Sequence, residues 1–295
     1  MATITKSTNL FPTELVPQIF NKVAGHSTLA KLSNQEPIPF TGNQEFVFTM
    51  DGEASIVGEG ENNPAGDAGF KPVTIKPINF VYQSRVTDVF LKMSEEKQVP
   101  YLQAFTEGFA KKIARALDIA AMHGVNPATG TAYAGISDKN FDMAAVGSVT
   151  VTAGSEDDTL DAAIQTIVAS DGAITGIAMA PSFGSDLAKI KVNGVVQYPE
   201  FRFGGNPSTF ASIPSNINNT VSFKTSKDLV IVGDFANAFK WGYAEDIPME
   251  VIEYGDPDGL GDLKRTNQIC LRAKAYIGWG ILDTDSFKKI VKAEG

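Results

Sequence analysis

The chain has 295 residues, 43% of them hydrophobic and 20% charged, with a formal net charge of −9. That length buries a sizeable core and fits about two domains, and the acidic balance excludes a general grip on nucleic acid through phosphate neutralisation. A single cysteine, Cys270, excludes an internal disulfide framework and fits a reducing compartment. No apolar run is long enough for a membrane span, and Met1–Lys6 lacks the apolar stretch of a signal peptide, so the expectation is a soluble chain made in the cytoplasm, with no membrane partner.

Residues 1–9 are rich in Thr, Ser and Lys and read as an extended arm. Thr13–Ala24 sets Leu15, Val16, Ile19, Phe20 and Val23 on one side of a short amphipathic helix. A helix of about twelve residues is marginal alone, so this one must dock on its own core or on a neighbouring subunit. Gln44–Met50 alternates, with Phe46, Phe48 and Met50 on one face and Glu45, Val47 and Thr49 on the other, as a strand does. Asp51–Gly69 is glycine-rich and acidic and holds Glu59, Glu61 and Asp67. Phe70–Val81 alternates again, interrupted by Pro72 and Pro77, which remove ladder donors and exclude a central place in a sheet. Residues 44–81 thus read as a two-stranded arm with an acidic tip. An isolated hairpin is barely stable in water, and the Phe and Ile side chains have no core within the arm, so the arm reaches across to another molecule.

Ser84–Met93 passes from strand to helix. Ser94–His123 reads as one long helix, with Val99, Leu102, Phe105, Phe109, Ile113, Leu117 and Ala121 at steps of three and four. Ser94 serves as cap, Pro100 belongs to the first turn, and Gly124 with Asn126-Pro127 ends it; its span is roughly 40 Å. The other face, with Lys111, Lys112, Arg115 and Asp118, is the place to look for a neighbour. Asn126–Ile136 is a turn-rich loop. A strand at Val149–Thr152, a helix at Asp157–Ser170, a buried strand at Ile174–Ala180 and a helix from Pro181 to about Lys191 form a compact α/β unit. Gln197–Asn219 is loop-rich, with FRFGGNPSTF at its centre. Leu229–Val232 is a buried strand, and Gly233-Asp234-Phe235 turns into a short helix. Strands follow at Ala238–Tyr243, Pro248–Glu253, Gln268–Tyr276 and Ile277–Leu282, then a short helix near Ser286 and a lysine-rich tail.

No chemistry converges. His26 and His123 lack metal-ligand spacing and a cysteine partner, so each reads as solvent-facing or locally bonded. There is no nucleophile elbow, zinc-protease or phosphate-loop pattern. Gly58-Glu-Gly-Glu-Asn-Asn lacks the third glycine of a dinucleotide loop, and its carboxylates would repel a pyrophosphate. Asp256, Asp258 and Asp262 could ligate a hard cation, but the glycine falls too early for a calcium loop. Asn218-Asn219-Thr220 is a glycosylation acceptor, idle in a cytoplasmic chain. The expectation is a protein that is not an enzyme, without catalytic, cofactor-binding or metal residues and without a cofactor.

The order of parts is the informative feature. Leu15-Val-Pro-Gln-Ile-Phe, Val57-Gly-Glu-Gly-Glu, His123-Gly-Val-Asn-Pro-Ala-Thr-Gly, Ala180-Pro-Ser-Phe, Leu187-Ala-Lys-Ile-Lys, Val232-Gly-Asp-Phe and Cys270-Leu-Arg-Ala-Lys-Ala-Tyr follow one another along the chain. In this order, over essentially the whole length, the chain resembles the major capsid protein of tailed bacteriophages, the Hong Kong 97-type fold. The resemblance implies an α+β architecture: an N-terminal arm (1–43), an extended hairpin or E-loop over the adjacent subunit (44–81), a peripheral domain (82–134 and 236–295) with spine helix 94–123, and an α/β axial domain (135–235).

It further implies self-assembly as hexamers and pentamers into an icosahedral shell around packaged double-stranded DNA, held without sequence-specific binding. The location would be the virion, after synthesis and assembly in the host bacterial cytoplasm, with a portal protein as partner. Because the arm begins within about a dozen residues of Met1 by helix-start signals, any scaffolding protein is expected to be separate. Candidate inter-subunit contacts are Leu15, Ile19, Phe46, Phe48, Glu59, Glu61, Asp67, Lys71, Lys111, Lys112 and Arg115, with the acidic tip pairing to the basic groups of a neighbour's helix. Some relatives cross-link through a Lys, an Asn and a Glu. Lys71 and Asn267 are present, but the closing strand Cys270–Tyr276 has no carboxylate, so a shell without cross-links is expected. The alternative is an encapsulin-like compartment enclosing a cargo enzyme; a soluble α/β enzyme is a third class.

Overall fold

The computed structural model describes residues 26–51, 54–62, 67–93, 95–143, 145–244 and 249–293. The helix expected over 13–24, with Leu15 and Ile19, and the cap at Ser94 lie outside the described residues.

The chain opens with a short helix, α1 (Thr28–Leu32), capped by Ser27, whose hydroxyl accepts from Ala30 N–H. β1 (Asn43–Asp51) and β2 (Asp67–Ile75) form an antiparallel hairpin, from Asn43 opposite Ile75 to Asp51 opposite Asp67. β3 (Ile78–Thr87) follows, then one turn, α2 (Val89–Lys92), and the 29-residue spine helix α3 (Glu95–His123). Next come β4 (Gly147–Val151), α4 (Glu156–Val168), β5 (Gly176–Met179), α5 (Pro181–Leu187), a tight hairpin of β6 (Lys191–Val192) and β7 (Val195–Val196), β8 (Thr209–Phe210), β9 (Ile213–Ile217) and β10 (Asp228–Gly233). β11 (Phe239–Tyr243), β12 (Met249–Ile252), β13 (Gln268–Ile281) and β14 (Phe287–Lys292) close the chain. Among the described residues, no helix is long and apolar enough to cross a membrane.

These strands build two main sheets. In the four-stranded sheet β13 is central, paired along its length with β3 on one side and with β11 and β12 on the other. The six-stranded sheet runs β4-β14-β10-β5-β9-β8, with β4/β14 and β5/β9 parallel. The spine helix lies between them. Its first part buries one stripe, including Leu102 and Phe109, whereas every residue from Leu117 to His123 is buried because the last two turns are enclosed on every side. Trp241, Trp279, Phe141, Phe235, Phe239 and Phe287 share the core around it. A second core, with Leu160, Ile167, Ile177, Phe183, Val230 and Ile290, lies beneath α4 and α5.

Five expectations are corrected. The strand expected over Phe70–Val81 is two strands: the hairpin ends at Ile75, and β3 pairs residue by residue with β13. Pro72 sits in a strand that pairs only with β1, where a missing donor is tolerated. The two strands expected at 268–276 and 277–282 are one, since Gly278 and Gly280 continue the pleat. No helix follows Gly233; the Asp234 carboxylate accepts from Asn237 N–H, closing a turn that leads straight into β11. The short helix near Ser286 is strand β14: Ser286 bonds back to Asp283, and the residues after it insert between β4 and β10. The end of the chain, expected beside the peripheral strands, therefore completes the other sheet. Finally, the spine helix begins at Glu95, so Pro100 lies in its second turn.

Candidate functional site

The hairpin is seated by missing side chains. Ile75, 2% exposed, lies over β13 at Gly280, where a Cβ would come within 2.9 Å of Ile75 Cγ1. At Gly278 a Cβ would come within 3.1 Å of Ile38 Cδ1. The segment before the hairpin runs beside β11, with Glu36 N–H donating to Trp241 O (2.9 Å) and Ile38 N–H to Tyr243 O (3.1 Å). That approach is possible because residue 242 is glycine: a Cβ there would sit 1.6 Å from Glu36 O. Lys240 ties the two ends of this seat, 3.0 Å from Glu36 and 3.4 Å from Glu45. Sequence reading missed the seat, although three glycines within strand patterns were a signal of close backbone approach.

Among the described residues, the hairpin's other face is exposed. Phe46, Phe48 and Phe70 are 58%, 54% and 65% exposed. Phe70 stands opposite Phe48, and its ring centroid lies 5.3 Å from that of Phe46 and 5.8 Å from that of Phe48. Complete burial of a Phe contributes about 1.5–3 kcal/mol, and three clustered rings left in water mark a contact surface. Phe70 belongs with the two rings named from the sequence; its register opposite Phe48 was not legible before pairing was known. At the tip, Gly58 N–H donates to Glu61 Oε2 (3.0 Å) and Glu61 N–H to Gly58 O (3.1 Å), so Glu61 closes its own turn. Glu59 and Lys71 are exposed, and the Asp67 backbone pairs opposite Asp51.

The candidates on the spine helix separate. Lys111 and Lys112 are exposed. Arg115 is half-buried and held within the subunit, donating to Asn219 Oδ1 at 2.5 Å with its guanidinium 5.7 Å from the Phe223 ring centroid. Asp118, expected on the outward face, is fully buried. It accepts from Ser27 Oγ (2.5 Å), Thr28 N (2.9 Å), Leu29 N (3.2 Å) and Thr220 Oγ1 (3.1 Å). Burial pushes its carboxyl up, against the opposing pull of these donors. The outward stripe was misread here because residues before β1 and around Thr220 cover this part of the helix.

His123 is likewise not solvent-facing, and its partners are distant in sequence instead of local. It is buried, with Nε2–H donating to Thr220 O (2.9 Å) and Nδ1 2.8 Å from Asp142 Oδ2 and 3.5 Å from Asp228 Oδ2. Lys289 Nζ lies 2.6 Å from Asp142 and 3.4 Å from Asp228. Burial pulls the imidazole pKa down, and the Asp142 carboxylate outweighs it and holds it above the ordinary value. Burial, then Asp142, pushes Asp228 up to about 7, while Asp142 itself, although partial desolvation pulls it upward, is held well below the carboxylate range by His123, Asp228 and Lys289. One ligand atom from each of His123, Asp142 and Asp228 lies within 4.8 Å of the others, but the Lys289 ammonium already supplies the positive charge such carboxylates need. These partners come from separate elements, so no local spacing announced them.

The carboxylates of the 256–262 loop do not converge on a cation site. Asp258 and Asp256 hold Arg85, with Nε 2.8 Å from Asp258 Oδ2 and Nη2 3.2 Å from Asp256 Oδ1, and Arg85 Nη2 also donates to Gly261 O at 2.8 Å. Arg85 holds Asp258 down to about 2. Asp262 instead accepts from Arg265 N–H.

A profile of the phage capsid family matches residues 8–292. The chain is similar to a solved structure from Mycobacterium phage Ogopogo, at 33% identity and a TM-score of 0.76, over 91% of this chain and 92% of that one. A second, from Gordonia phage Cozz, is 25% identical with a TM-score of 0.74, over 90% and 86%. The capsid of a native GTA particle shares the fold at 15% identity and a TM-score of 0.63, over 92% and 91%. No curated protein sequence matches the chain.

Proposed function

The chain belongs to the phage capsid family, and from that premise we propose that its copies assemble as hexamers and pentamers into an icosahedral shell around packaged double-stranded DNA. It is a major capsid protein with the Hong Kong 97-type fold of its structural relatives, and a component of the virion. The observation that carries the finer reading is the exposed face of Phe46, Phe48 and Phe70 on a hairpin seated at its root on Gly278 and Gly280. A neighbouring copy that covers these rings stabilises a hairpin that water alone does not. Interfaces of ordinary size, about 1,000–2,000 Å² each, then repeat around the shell.

The remaining assignments follow from this reading. Residues 135–235, with β14, form the axial unit that meets its copies at capsomer centres, while the four-stranded sheet and spine helix form the peripheral unit. Glu59 at the tip faces Lys111 and Lys112 of a neighbour; Arg115 is engaged within its own subunit. The net charge of −9 lets DNA lie inside without sequence-specific contact. A portal protein and a scaffolding function complete assembly in the bacterial cytoplasm. The role is structural and not catalytic, and contacts between copies are non-covalent, since Cys270–Tyr276 offers no carboxylate to a cross-link from Lys71. An enzyme-enclosing compartment is not favoured by the family or its phage relatives.

The test is expression of the full chain followed by electron microscopy, sedimentation and nuclease treatment. Closed particles are expected, and particles from infected cells should protect DNA. The triple variant Phe46→Ser, Phe48→Ser, Phe70→Ser should remain folded and lose the particles. A wild-type chain that sediments as monomers at every concentration overturns the proposal.

A further inference from the structure

Residues 199–205 carry a further exposed aromatic side chain, away from the hairpin. Phe203 is 102% exposed and sits in the left-handed region at φ 58° and ψ 29°. Both are unfavourable for a bulky residue, and no ring contact or hydrogen bond of its side chain among the described residues offsets them. The loop is nevertheless firmly shaped. Phe201, two residues earlier, is 3% exposed and packs edge-on against Phe210 at 5.1 Å, and Gly205 N–H donates to Arg202 O at 3.1 Å. A Cβ at Gly205 would lie 2.0 Å from Glu200 O. The fold therefore holds Phe203 outward. Beside it opens a cleft of about 760 Å³ lined by Pro181, Ala188, Phe201 and Ile217, with the exposed cations Lys191 and Arg202. Lys189, also there, is already paired with Asp186 at 2.6 Å.

The complementary surface is on α4. Its buried side faces β4, β14 and β10. Its outward side carries Asp158, Asp161, Gln165 and Val168, spaced three, four and three apart, which makes one stripe. Val168, 49% exposed, is the apolar member at the end of that stripe. In the sheet order β4-β14-β10-β5-β9-β8, α4 covers the β4 half, whereas the 199–205 loop and its cleft sit at the β9–β8 half. The two surfaces are distinct and neighbouring, since Tyr198, just before the loop, donates to Asp157 of α4 at 3.2 Å. One copy thus offers an aromatic anchor with cations on one of them and an apolar residue with carboxylates on the other. Two different surfaces that fit each other join copies head to tail, the arrangement that closes rings.

We infer that Phe203 and Arg202 dock on the outward stripe of α4 in the next copy of the chain, with Phe203 covering Val168 and with Arg202 and Lys191 meeting Asp158 and Asp161. This contact rests on the shell reading above and specifies which surfaces join copies within one ring. Arginine, with the large aromatics tryptophan and tyrosine, is enriched at the energetic centres of interfaces.

The test is a charge exchange in the full chain, read by particle yield. Arg202→Glu and Asp161→Lys should each lower yield about tenfold or more, and the two together should recover most of it, because a contacting pair is not additive. Phe203→Ser should melt no lower than wild type and still lose particles. Single charge variants that assemble like wild type, a double variant that recovers nothing while melting like wild type, or a Phe203→Ser chain that melts well below wild type each overturn this contact. Wild-type particles with unresponsive variants leave the shell reading intact and remove only this interface; a wild-type chain that never assembles overturns both.

Discussion

Ser27 Oγ donates to Asp118 Oδ1 at 2.5 Å, joining the start of the described chain to the enclosed last turns of the spine helix. Two backbone N–H groups of the same short helix and the Thr220 hydroxyl converge on the same carboxylate. Asp118→Ala leaves these buried donors unmatched and should destabilise the subunit by about 3 kcal/mol or more. Asp118→Asn keeps an acceptor oxygen and should lose less. Urea unfolding of the two variants checks the order; equal losses would show that packing around Asp118, and not its acceptor role, is what matters.

The cluster around His123 makes stability depend on pH. Asp228, at about 7 in the folded chain against an ordinary 3.8, favours the fold below 3.8, and that contribution disappears as pH rises through 7. His123, also raised, acts in the same sense from its ordinary 6.5 upward. Asp142, lowered, acts in the opposite sense, and its contribution is lost as pH falls below the usual carboxylate range. Asp228→Asn removes one titrating group, so its melting temperature should fall less steeply than that of wild type between about pH 5 and 8. Parallel slopes in a thermal scan across that range would contradict this assignment.

The glycine seat predicts where the hairpin comes loose. Gly280→Val places side-chain atoms against Ile75 and should destabilise by about 1–3 kcal/mol through overpacking. Gly242→Ala should be worse, because its Cβ meets the Glu36 carbonyl, which is backbone and cannot turn aside. Hydrogen exchange should rise in peptides covering 34–48 and 69–78 in both variants before it rises in the spine helix. Uniform acceleration across the subunit would argue against a local seat.

The elements legible in the sequence were those with their own period. The stripe from Leu102 to Ala121 gave the spine helix, and the alternation around Phe46 and Phe48 gave the first hairpin strand. What was not legible depended on distant partners. Nothing between Phe70 and Val81 says that the chain changes sheets at Pro77, because the pairing partner of Ile78 is Ile277. Ser286 reads as a helix start until β4 and β10 leave a gap for Phe287–Lys292. Asp118 and His123 lie on a helix whose period is clear, yet their surroundings arrive from the residues before β1, the 137–146 loop, β10 and β14. The bare hairpin face was readable as a pattern, whereas Phe203 was not, since only the backbone at φ 58° turns that ring away from Phe201.

Both sheets wait for strands that come late in the order of elements. β13 is the central strand of one, and β14 fills the place between β4 and β10 in the other. Pairing across such separations is slow to form, because the intervening chain must first be brought together. A growing chain on the ribosome therefore carries its hairpin rings and the Phe203 loop on bodies that are not yet closed. If the hairpin rings and the Phe203 loop join copies as proposed, the bodies that carry them close only when β13 and β14 are in place, and the topology then sets folding ahead of shell growth.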